Sequence, residues 1–339
     1  MSNYPFKNLV FQGCGIKGIA YLGMLEVLDA EGILDQIERV AGASAGAITS
    51  VVTSFGLSAG EMKDIVDSLD YSKIPQVWST DPDEFESLPS VVREALDDIF
   101  GDFRCVYRLI KRYGWYSSEY FYGWLRDTIA SQFTVHKDKY TFADFQNVVH
   151  HKDKRHFADL YLIGADISTH HSRVFSVETT PNVEVALATR ISMSIPLFFE
   201  AIEFEYPGQS ETHTFADGGT TRVYPINIFD KRPKYGNNFR GDVNLETLGG
   251  YMLTPENCPN RKPVTDFISY VENLFESLLD VQEDFLINNP DDLMRTVRID
   301  DYCISATDFS IKVGDEKYTK LYNAGQTATR DYLDNYVSE

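Results

Sequence analysis

Residues 9–52 alternate between apolar runs and glycine turns, and this pattern constrains the fold more than any other feature of the chain. Leu9-Val10-Phe11 is a compact apolar run that ends at Gly13, and apolar residues then recur at helical spacing over 19–28. A second apolar run over 40–43 precedes a segment of small residues over 44–52. This order of strand, helix, strand and helix predicts a parallel sheet with helices packed against it.

Further strands and helices are predicted after residue 159. Apolar or alternating runs predict strands over 160–163, 172–177, 212–217, 245–253 and 296–299. Helical periodicity predicts helices over 185–194, 267–286 and 318–336. No linker rich in Gly, Pro or Ser divides the chain, so we expect one domain over 1–339, with a core over about 7–225 completed by 226–339.

An acidic and aromatic excursion over about 64–135 interrupts the core. Residues 81–102 hold eight acidic residues and a single base, Arg93, which is typical of a solvated surface, although a lid is the alternative. The aromatic residues of 103–133 predict core helices rather than a lipid-facing lid, because aromatic stripes at helical spacing are normally buried.

The composition supports a large core and excludes some partners. Hydrophobic residues make up 43% of the chain, and its net charge of −20 disfavours nucleic acid. Lipid contact would have to rest on apolar groups or on a basic patch of Arg108, Lys111 and Arg112. The four cysteines form no C-x-x-C pair and predict neither a zinc site nor a disulfide. With no apolar stretch long enough to span a membrane and no secretory segment, we expect a soluble protein of the reducing cytoplasm.

The segment Gly13-Cys14-Gly15-Ile16-Lys17-Gly18 follows a strand and opens a helix. Its G-x-G-x-x-G pattern fits dinucleotide binding, with Asp35 near the position of a ribose-binding acid. In physical terms it provides backbone N–H groups at a helix N-terminus, which can hold a pyrophosphate or a transient oxyanion. Lys17 suggests an anionic ligand nearby or, as the plainer interpretation, is a solvated surface lysine.

Ser44 is the candidate nucleophile. It lies in Gly42-Ala43-Ser44-Ala45-Gly46, a G-x-S-x-G pattern between an apolar strand and an apolar helix, which is the context of a nucleophile elbow. The tight turn requires small neighbours because strand and helix approach closely there. The alternative is a Gly/Ala-rich turn whose serine only caps a helix.

Asp217 is the candidate base. It ends a predicted strand in Phe215-Ala216-Asp217-Gly218-Gly219, at what should be the carboxyl edge of the sheet. A carboxylate would need a raised pKa, or strong oxyanion stabilisation, to activate a hydroxyl. None of the seven histidines lies in an evidently constrained apolar setting, and His213 would stand about 13 Å from Asp217 along an extended strand, too far to orient it. The plain alternative for Asp217 is a turn residue before two glycines.

Together, the segments 13–18, 42–46 and 217–219 resemble the patatin-like phospholipase family in order and spacing. Segments 140–144, 164–168 and 190–196 also resemble that family, and 304–309 does so faintly. The resemblance implies a three-layer α/β fold with a mostly parallel central sheet flanked by helices. It also implies a lipid acyl hydrolase that needs no metal or organic cofactor, acts on lipid or phospholipid esters and makes peripheral membrane contact.

Site roles follow from the same resemblance. Ser44 would be the nucleophile and Asp217 the base, without histidine. The oxyanion hole would be built from the loop Gly13, Cys14, Gly15, Ile16, Lys17 and Gly18, centred on the amides of Gly15 and Ile16. Gly42, Ala43, Ala45 and Gly46 would form the elbow, and Gly218 and Gly219 the base turn. Cys14 departs from the family pattern, which usually has glycine there; we interpret it as an inert buried thiol.

Three other functions remain compatible with the sequence. A dinucleotide-binding module explains the glycine loop but neither the elbow nor the base turn. A non-catalytic binding or regulatory protein of the same fold would account for Cys14. Acyl transfer to an acceptor other than water uses the same residues as hydrolysis.

Overall fold

The computed structural model describes residues 4–77, 89–91, 103–208, 210–255, 258 and 263–337. The strands are β1 Asn8–Phe11, β2 Arg39–Ala43, β3 Gly114–Tyr116, β4 Asp159–Asp166, β5 His171–Phe175, β6 Leu197–Phe199, β7 Ile202–Glu205, β8 Thr212–Asp217, β9 Phe239–Arg240, β10 Val243–Asn244, β11 Thr247–Leu253 and β12 Thr296–Asp300. The helices are α1 Ile19–Ala30, α2 Ala45–Ser54, α3 Ala59–Asp67, α4 Phe103–Arg112, α5 Glu119–Ala130, α6 Val185–Ser192, α7 Gly219–Arg222, α8 Phe267–Ile287, α9 Pro290–Met294 and α10 Glu316–Asp334.

The central sheet runs in the order β12-β11-β1-β2-β4-β8-β7, and β5 also pairs with β4. The strands from β12 to β4 are parallel, whereas β5, β8 and β7 join by antiparallel pairing. This arrangement confirms the prediction of a mostly parallel sheet in an α/β fold.

Strand β1 shows why the sheet needs cover on both faces. Leu9 and Phe11 belong to the large apolar cluster on one face, while Val10 belongs to a second cluster with Ala41 and Tyr161. A parallel strand buried on both faces is a continuous apolar run rather than an alternating one. The compact run at 9–11 therefore marks a central strand.

Most of the aromatic segment after residue 103 packs into the core. Phe121 is fully buried on α5, and Tyr116, Tyr120 and Trp124 pack against the main cluster, whereas Tyr113 is exposed. The core interpretation is therefore correct for these residues. The acidic segment 81–102 lies outside the described residues except for 89–91, so its surface or lid character stays a prediction.

Cys258 and Cys303 form a disulfide, which corrects the expectation that the cysteines stay unpaired. They are 45 residues apart in sequence. Cys258 follows β11 and Cys303 follows β12, and these strands are parallel neighbours, so their carboxyl ends bring both residues to one edge of the sheet. Sequence spacing could not reveal this because strand order decides it. Cys14 and Cys105 are free and buried.

This pairing predicts two titratable thiols per chain, rather than four, in unfolded protein kept away from reductant. Thiol counting in denaturant before and after reduction measures this number directly. A cross-link closing a loop of this length stabilises a fold by about 4 kcal/mol in the chain-entropy model, so reduction should also lower the melting temperature. Four thiols in unreduced protein would contradict the pairing.

Candidate active site

Ser44 lies on the sharp turn between β2 and α2. Its backbone has φ 52° and ψ −125°, a conformation that non-glycine residues adopt only where the surrounding structure imposes it. The turn is tight because a Cβ on Gly42 would lie 2.2 Å from the Gly46 carbonyl oxygen, and one on Gly46 would lie 2.2 Å from that of Phe11. The turn between strand and helix is therefore as sharp as an elbow requires, and Gly42 and Gly46 are needed there because the backbones approach so closely.

The Asp217 carboxylate contacts the Ser44 hydroxyl directly. Ser44 Oγ donates to Asp217 Oδ2 at 2.6 Å, and the Gly219 amide donates to Oδ1 at 2.6 Å. Both side chains are buried. Burial raises the pKa of Asp217 to about 7, although the hydrogen bonds from Ser44 and Gly219 oppose the rise. A carboxylate tuned to this range can accept a proton at neutral pH.

Strand register explains how residues so far apart in sequence meet. Ala43 pairs with Ile163 across β2 and β4, and Gly164 pairs with Asp217 across β4 and β8. Ser44 and Asp217 therefore stand at the same level of the sheet, on either side of β4. The predicted strand does end at Asp217, but β8 runs antiparallel to β4 and so enters the site from beyond the carboxyl edge.

Two serines that sequence reasoning did not single out support this pair. The Ser44 amide donates to Ser192 Oγ at 2.9 Å, and Ser192 Oγ donates to the Ile163 carbonyl at 2.5 Å. The Ser194 carbonyl accepts the Asp217 amide at 2.7 Å. Ser192 ends α6 and Ser194 follows it. The segment 190–196 therefore links the turn at Ser44 to the turn at Asp217 by hydrogen bonds. Its only signal in the sequence was the family resemblance.

Histidine takes no part in this arrangement: none in the described part of the chain, which includes all seven, bonds to Ser44 or Asp217. The expectation that no histidine is constrained was wrong, however, because two are buried. His213 Nδ1 lies 2.9 Å from Asp166 Oδ2, and the His151 ring stacks on Phe157. Both are held by partners away from the Ser44 hydroxyl.

The glycine loop lies beside the elbow as a 3₁₀ turn over Gly15–Gly18 that leads into α1. The Gly13 amide donates to the Val223 carbonyl and the Ile16 amide to the Ala306 carbonyl, each at 2.9 Å. The Ile16 amide is thus already engaged. Within the described residues, the amides of Cys14 and Gly15 have no such partner.

The surroundings of Cys14 agree with the prediction from the sequence, whereas those of Lys17 do not. Cys14 is buried, and burial raises the pKa of its thiol to about 12, which agrees with an inert thiol. Lys17 is not the solvated lysine that was the plainer interpretation: its side chain is 6% exposed and its ammonium lies 2.9 Å from Asp301 Oδ2. The 3₁₀ turn directs the Lys17 side chain into the interior, where its ammonium pairs with the Asp301 carboxylate.

An apolar pocket leads to Ser44. It lies between the glycine loop, α2 and the segment after α6, and its lining includes Leu22, Ile48, Leu69, Ile74, Met193 and Phe309. Such a lining suits a hydrocarbon chain.

The dinucleotide interpretation fails on the position of Asp35. A ribose-binding acid must lie at the carboxyl end of the second strand, facing the glycine loop. Asp35 instead precedes β2, in a 3₁₀ turn over Leu34–Gln36, at the opposite end of the strand from Ser44.

If this chain hydrolyses esters with Asp217 as the base, as the sequence predicts, the raised pKa of Asp217 gives the reaction a pH dependence. Only the ionised carboxylate can take a proton, so kcat/KM should rise with pH through a midpoint near 7 and drop about tenfold per unit below it. Initial rates with a soluble ester from pH 5 to 9, where the ester itself is stable, measure this profile. A profile flat from pH 5 to 7 would contradict the role of base.

The fold and this site define a class: α/β proteins that present a serine hydroxyl on a strand-to-helix elbow against a buried carboxylate. A family model for the patatin-like phospholipases matches residues 9–230, and the chain belongs to that family. Membership indicates a lipid hydrolase.

Two individual proteins are similar to this chain over most of its length. The chain is 25% identical to the uncharacterized protein YqhO of Bacillus subtilis, over 97% of this chain and 98% of YqhO. It is 22% identical to the uncharacterized protein R571 of Acanthamoeba polyphaga mimivirus, over 81% and 76% of the two chains. Among solved structures it resembles VipD from Legionella pneumophila, with TM-score 0.57 and 18% identity, over 98% of this chain and 67% of VipD. This last likeness concerns the fold alone.

In the described ranges, no group of three or more His, Cys, Asp or Glu side chains is placed to hold a metal ion. In the same ranges, no helix has an apolar stretch long enough to cross a bilayer.

Proposed function

We propose that this protein hydrolyses carboxylic ester bonds of lipids or phospholipids through an acyl-enzyme, with Ser44 as nucleophile and Asp217 as general base. The observation that carries the proposal is the 2.6 Å hydrogen bond from Ser44 Oγ to a buried carboxylate whose pKa lies near neutrality. The apolar pocket at Ser44 supports an acyl chain as the group that is bound.

The first chemical step transfers the Ser44 proton to Asp217 as Oγ attacks the ester carbonyl. Negative charge develops on the carbonyl oxygen. The amides of Cys14 and Gly15, which have no carbonyl partner in the part of the chain that the structure describes, stabilise this oxyanion by donating hydrogen bonds to it, and the Ala45 amide at the start of α2 is a third donor. Protonated Asp217 then returns the proton to the leaving alcohol or lysolipid. In the second step Asp217 takes a proton from water as the water oxygen attacks the acyl carbonyl; the acyl–Oγ bond then breaks, the proton passes from Asp217 to Ser44 Oγ, and the fatty acid leaves.

A non-catalytic binding protein is the competing proposal, and Cys14 was its only support. The Cys14 thiol is buried in the core. It is therefore not exposed on the surface of the loop, and the departure from glycine does not by itself argue against catalysis.

Two measurements test the proposal. Incubation with mixed glycerophospholipids should release fatty acids and lysolipids, which mass spectrometry identifies together with the position cleaved. A fluorophosphonate should label the protein at Ser44, since the hydroxyl attacks phosphorus and expels fluoride. Absence of both products and label would leave the binding protein as the better explanation, and acyl transfer without net hydrolysis would correct the acceptor.

The outer face of α8 is the surface that we propose for contact with lipid. Large apolar side chains recur there at helical spacing and are exposed: Phe267, Tyr270, Leu274, Leu278 and Val281. On the inner side of the same helix, Gln282 accepts the Val223 amide and donates to the Gly219 carbonyl, next to the base turn. An apolar stripe on an element that frames the site fits insertion into a lipid surface.

Val281→Glu should therefore weaken binding to phosphatidylcholine vesicles by about tenfold, the scale of burying one aliphatic side chain. Val149→Glu is the matched control, because Val149 is 75% exposed and Val281 64% exposed, and Val149 lies far along the chain from α8. Vesicle co-sedimentation compares the two variants with the wild type. Equal binding by all three would remove α8 as the contact surface.

A further inference from the structure

Lys17 is a buried cation inside the glycine loop. Its Nζ lies 2.9 Å from Asp301 Oδ2 and 3.8 Å from Glu276 Oε2. Burial by itself would lower the pKa of Lys17, but the two carboxylates outweigh burial and raise it. The ammonium is therefore charged and fixed in place.

The loop is held at a second point by the segment that follows β12. The Ala306 carbonyl accepts the Ile16 amide at 2.9 Å, and the Ala306 amide donates to Glu276 Oε1 at 2.8 Å. Glu276 belongs to α8, so this helix contacts both Lys17 and the segment that grips the loop. The loop is thus held by a backbone hydrogen bond at Ile16 and by an ion pair at Lys17.

Asp301 is itself held rigidly. Its side chain is 1% exposed and accepts hydrogen bonds from the Cys303 amide at 2.8 Å and from the Thr254 hydroxyl at 2.7 Å. It directly follows β12, at the edge of the parallel strands where Ser44 also stands. The carboxylate therefore presents a fixed point for Lys17.

A buried ion pair is weak evidence for stability, because well-packed apolar residues of the same size stabilise a fold as much. What a charged pair supplies is a defined geometry, and oxyanion donors need geometry to within a fraction of an ångström. Lys17 is two residues from Gly15, whose amide is one of the proposed donors. The Lys17–Asp301 ion pair therefore lies next to amides whose positions decide how well the oxyanion is stabilised.

We infer that Asp301, acting through Lys17, is a positioning residue that holds the amides of Cys14 and Gly15 in line for the oxyanion. The inference rests on the proposed function and adds a residue to it. Asp301 does not touch the substrate; its effect is on the rate of the chemical step.

The test compares Asp301→Asn with Asp230→Asn. Asp230 is the matched control because it too is a mostly buried carboxylate in an ion pair, with Arg295 at 2.7 Å, and Arg295 immediately precedes β12, at the opposite end of that strand from Asp301. The readouts are the second-order rate of Ser44 labelling by a fluorophosphonate, kcat and KM for a soluble ester, and the melting temperature. Asp301→Asn should slow labelling and lower kcat by about 10- to 100-fold, with KM changed by less than about threefold. Asp230→Asn should cost melting temperature but less than about threefold in either rate.

A double-mutant cycle identifies the route. Lys17→Met should also slow labelling, and Lys17→Met combined with Asp301→Asn should be no slower than the slower single variant, because both remove the same contact. If Asp301→Asn does not fold, Thr254→Val, which removes only one hydrogen bond to Asp301, should give a smaller loss of kcat in the same direction. Fully additive losses would overturn the action through Lys17.

The outcomes separate the inference from the proposed function. No labelling of the wild type at Ser44 would overturn both. Labelled wild type with equal rates in Asp301→Asn and Asp230→Asn would overturn the positioning role alone. A selective loss of kcat in Asp301→Asn supports it.

Discussion

Removal of either member of the Ser44–Asp217 pair should abolish ester hydrolysis. Ser44→Ala removes the attacking oxygen and Asp217→Asn removes the proton acceptor that lies 2.6 Å from it. Losses of about 10⁴-fold or more in kcat are the scale seen when such groups are deleted. Initial rates with a lipid and a soluble ester measure the loss, and fluorophosphonate labelling should disappear in Ser44→Ala. Retained activity in both variants would remove this assignment.

The same pair of variants should keep the fold, and Asp217→Asn should strengthen it at high pH. The pKa of Asp217 is raised from 3.8 to about 7, so the folded state binds a proton more tightly than the unfolded state does. The wild type therefore loses stability as the pH rises from about 4 to 7, whereas an amide does not titrate. At pH 8 Asp217→Asn should gain up to about 4 kcal/mol over the wild type from removal of this charge, less the cost of altered hydrogen bonds. Melting temperatures of both proteins at pH 5 and pH 8 show whether the difference grows with pH.

Gly15→Ala should also cost most of the activity, about 100-fold or more. Gly15 has φ +57°, and a Cβ there would lie 2.0 Å from the Ala306 carbonyl oxygen. Backbone atoms cannot move aside as a flexible side chain does, so either the loop or the segment after β12 must shift. The amides proposed for the oxyanion would move with it, and misplacement by about 1 Å can cost on the order of 100-fold.

Gly32→Ala is the matched control for this change. Gly32 has φ +65°, and a Cβ there would have nothing within 4 Å of it, so alanine brings the same backbone strain, about 1 to 2 kcal/mol, without a clash. Under conditions in which nearly all of the protein is folded, the activity of Gly32→Ala should equal that of the wild type. If Gly15→Ala is as active as Gly32→Ala, the close approach of Ala306 has no role in catalysis.

The local elements of the fold could be predicted from the sequence because they depend on local patterns. The apolar run at 9–11 and the glycines at 42 and 46 describe short-range requirements: a strand buried on both faces, and a turn in which a Cβ would meet backbone. The same holds for Asp217 before two glycines. Its chemistry and its turn made it a candidate base, and the family resemblance assigned it that role without a histidine.

Strand direction and strand order could not be obtained in the same way. β8 ends at the predicted residue but runs antiparallel, and β11 and β12 pair next to β1 although more than 200 residues separate them from it. Order in a sheet depends on contacts between distant segments, which no local pattern encodes. The Cys258–Cys303 disulfide and the Lys17–Asp301 pair both follow from that order, and both contradicted the local interpretation of the residues involved.

By itself, then, the sequence determined which groups are chemically able to act: a serine hydroxyl between small residues, a carboxylate before a glycine pair, and a glycine-rich loop at the start of a helix. Only the tertiary structure decided how they are tuned and held. The pKa of Asp217 rises because folding buries it completely, and the loop is fixed because β12 delivers Asp301 and Ala306 to it. Burial and long-range pairing are properties of the assembled core, since each depends on every segment that surrounds the site.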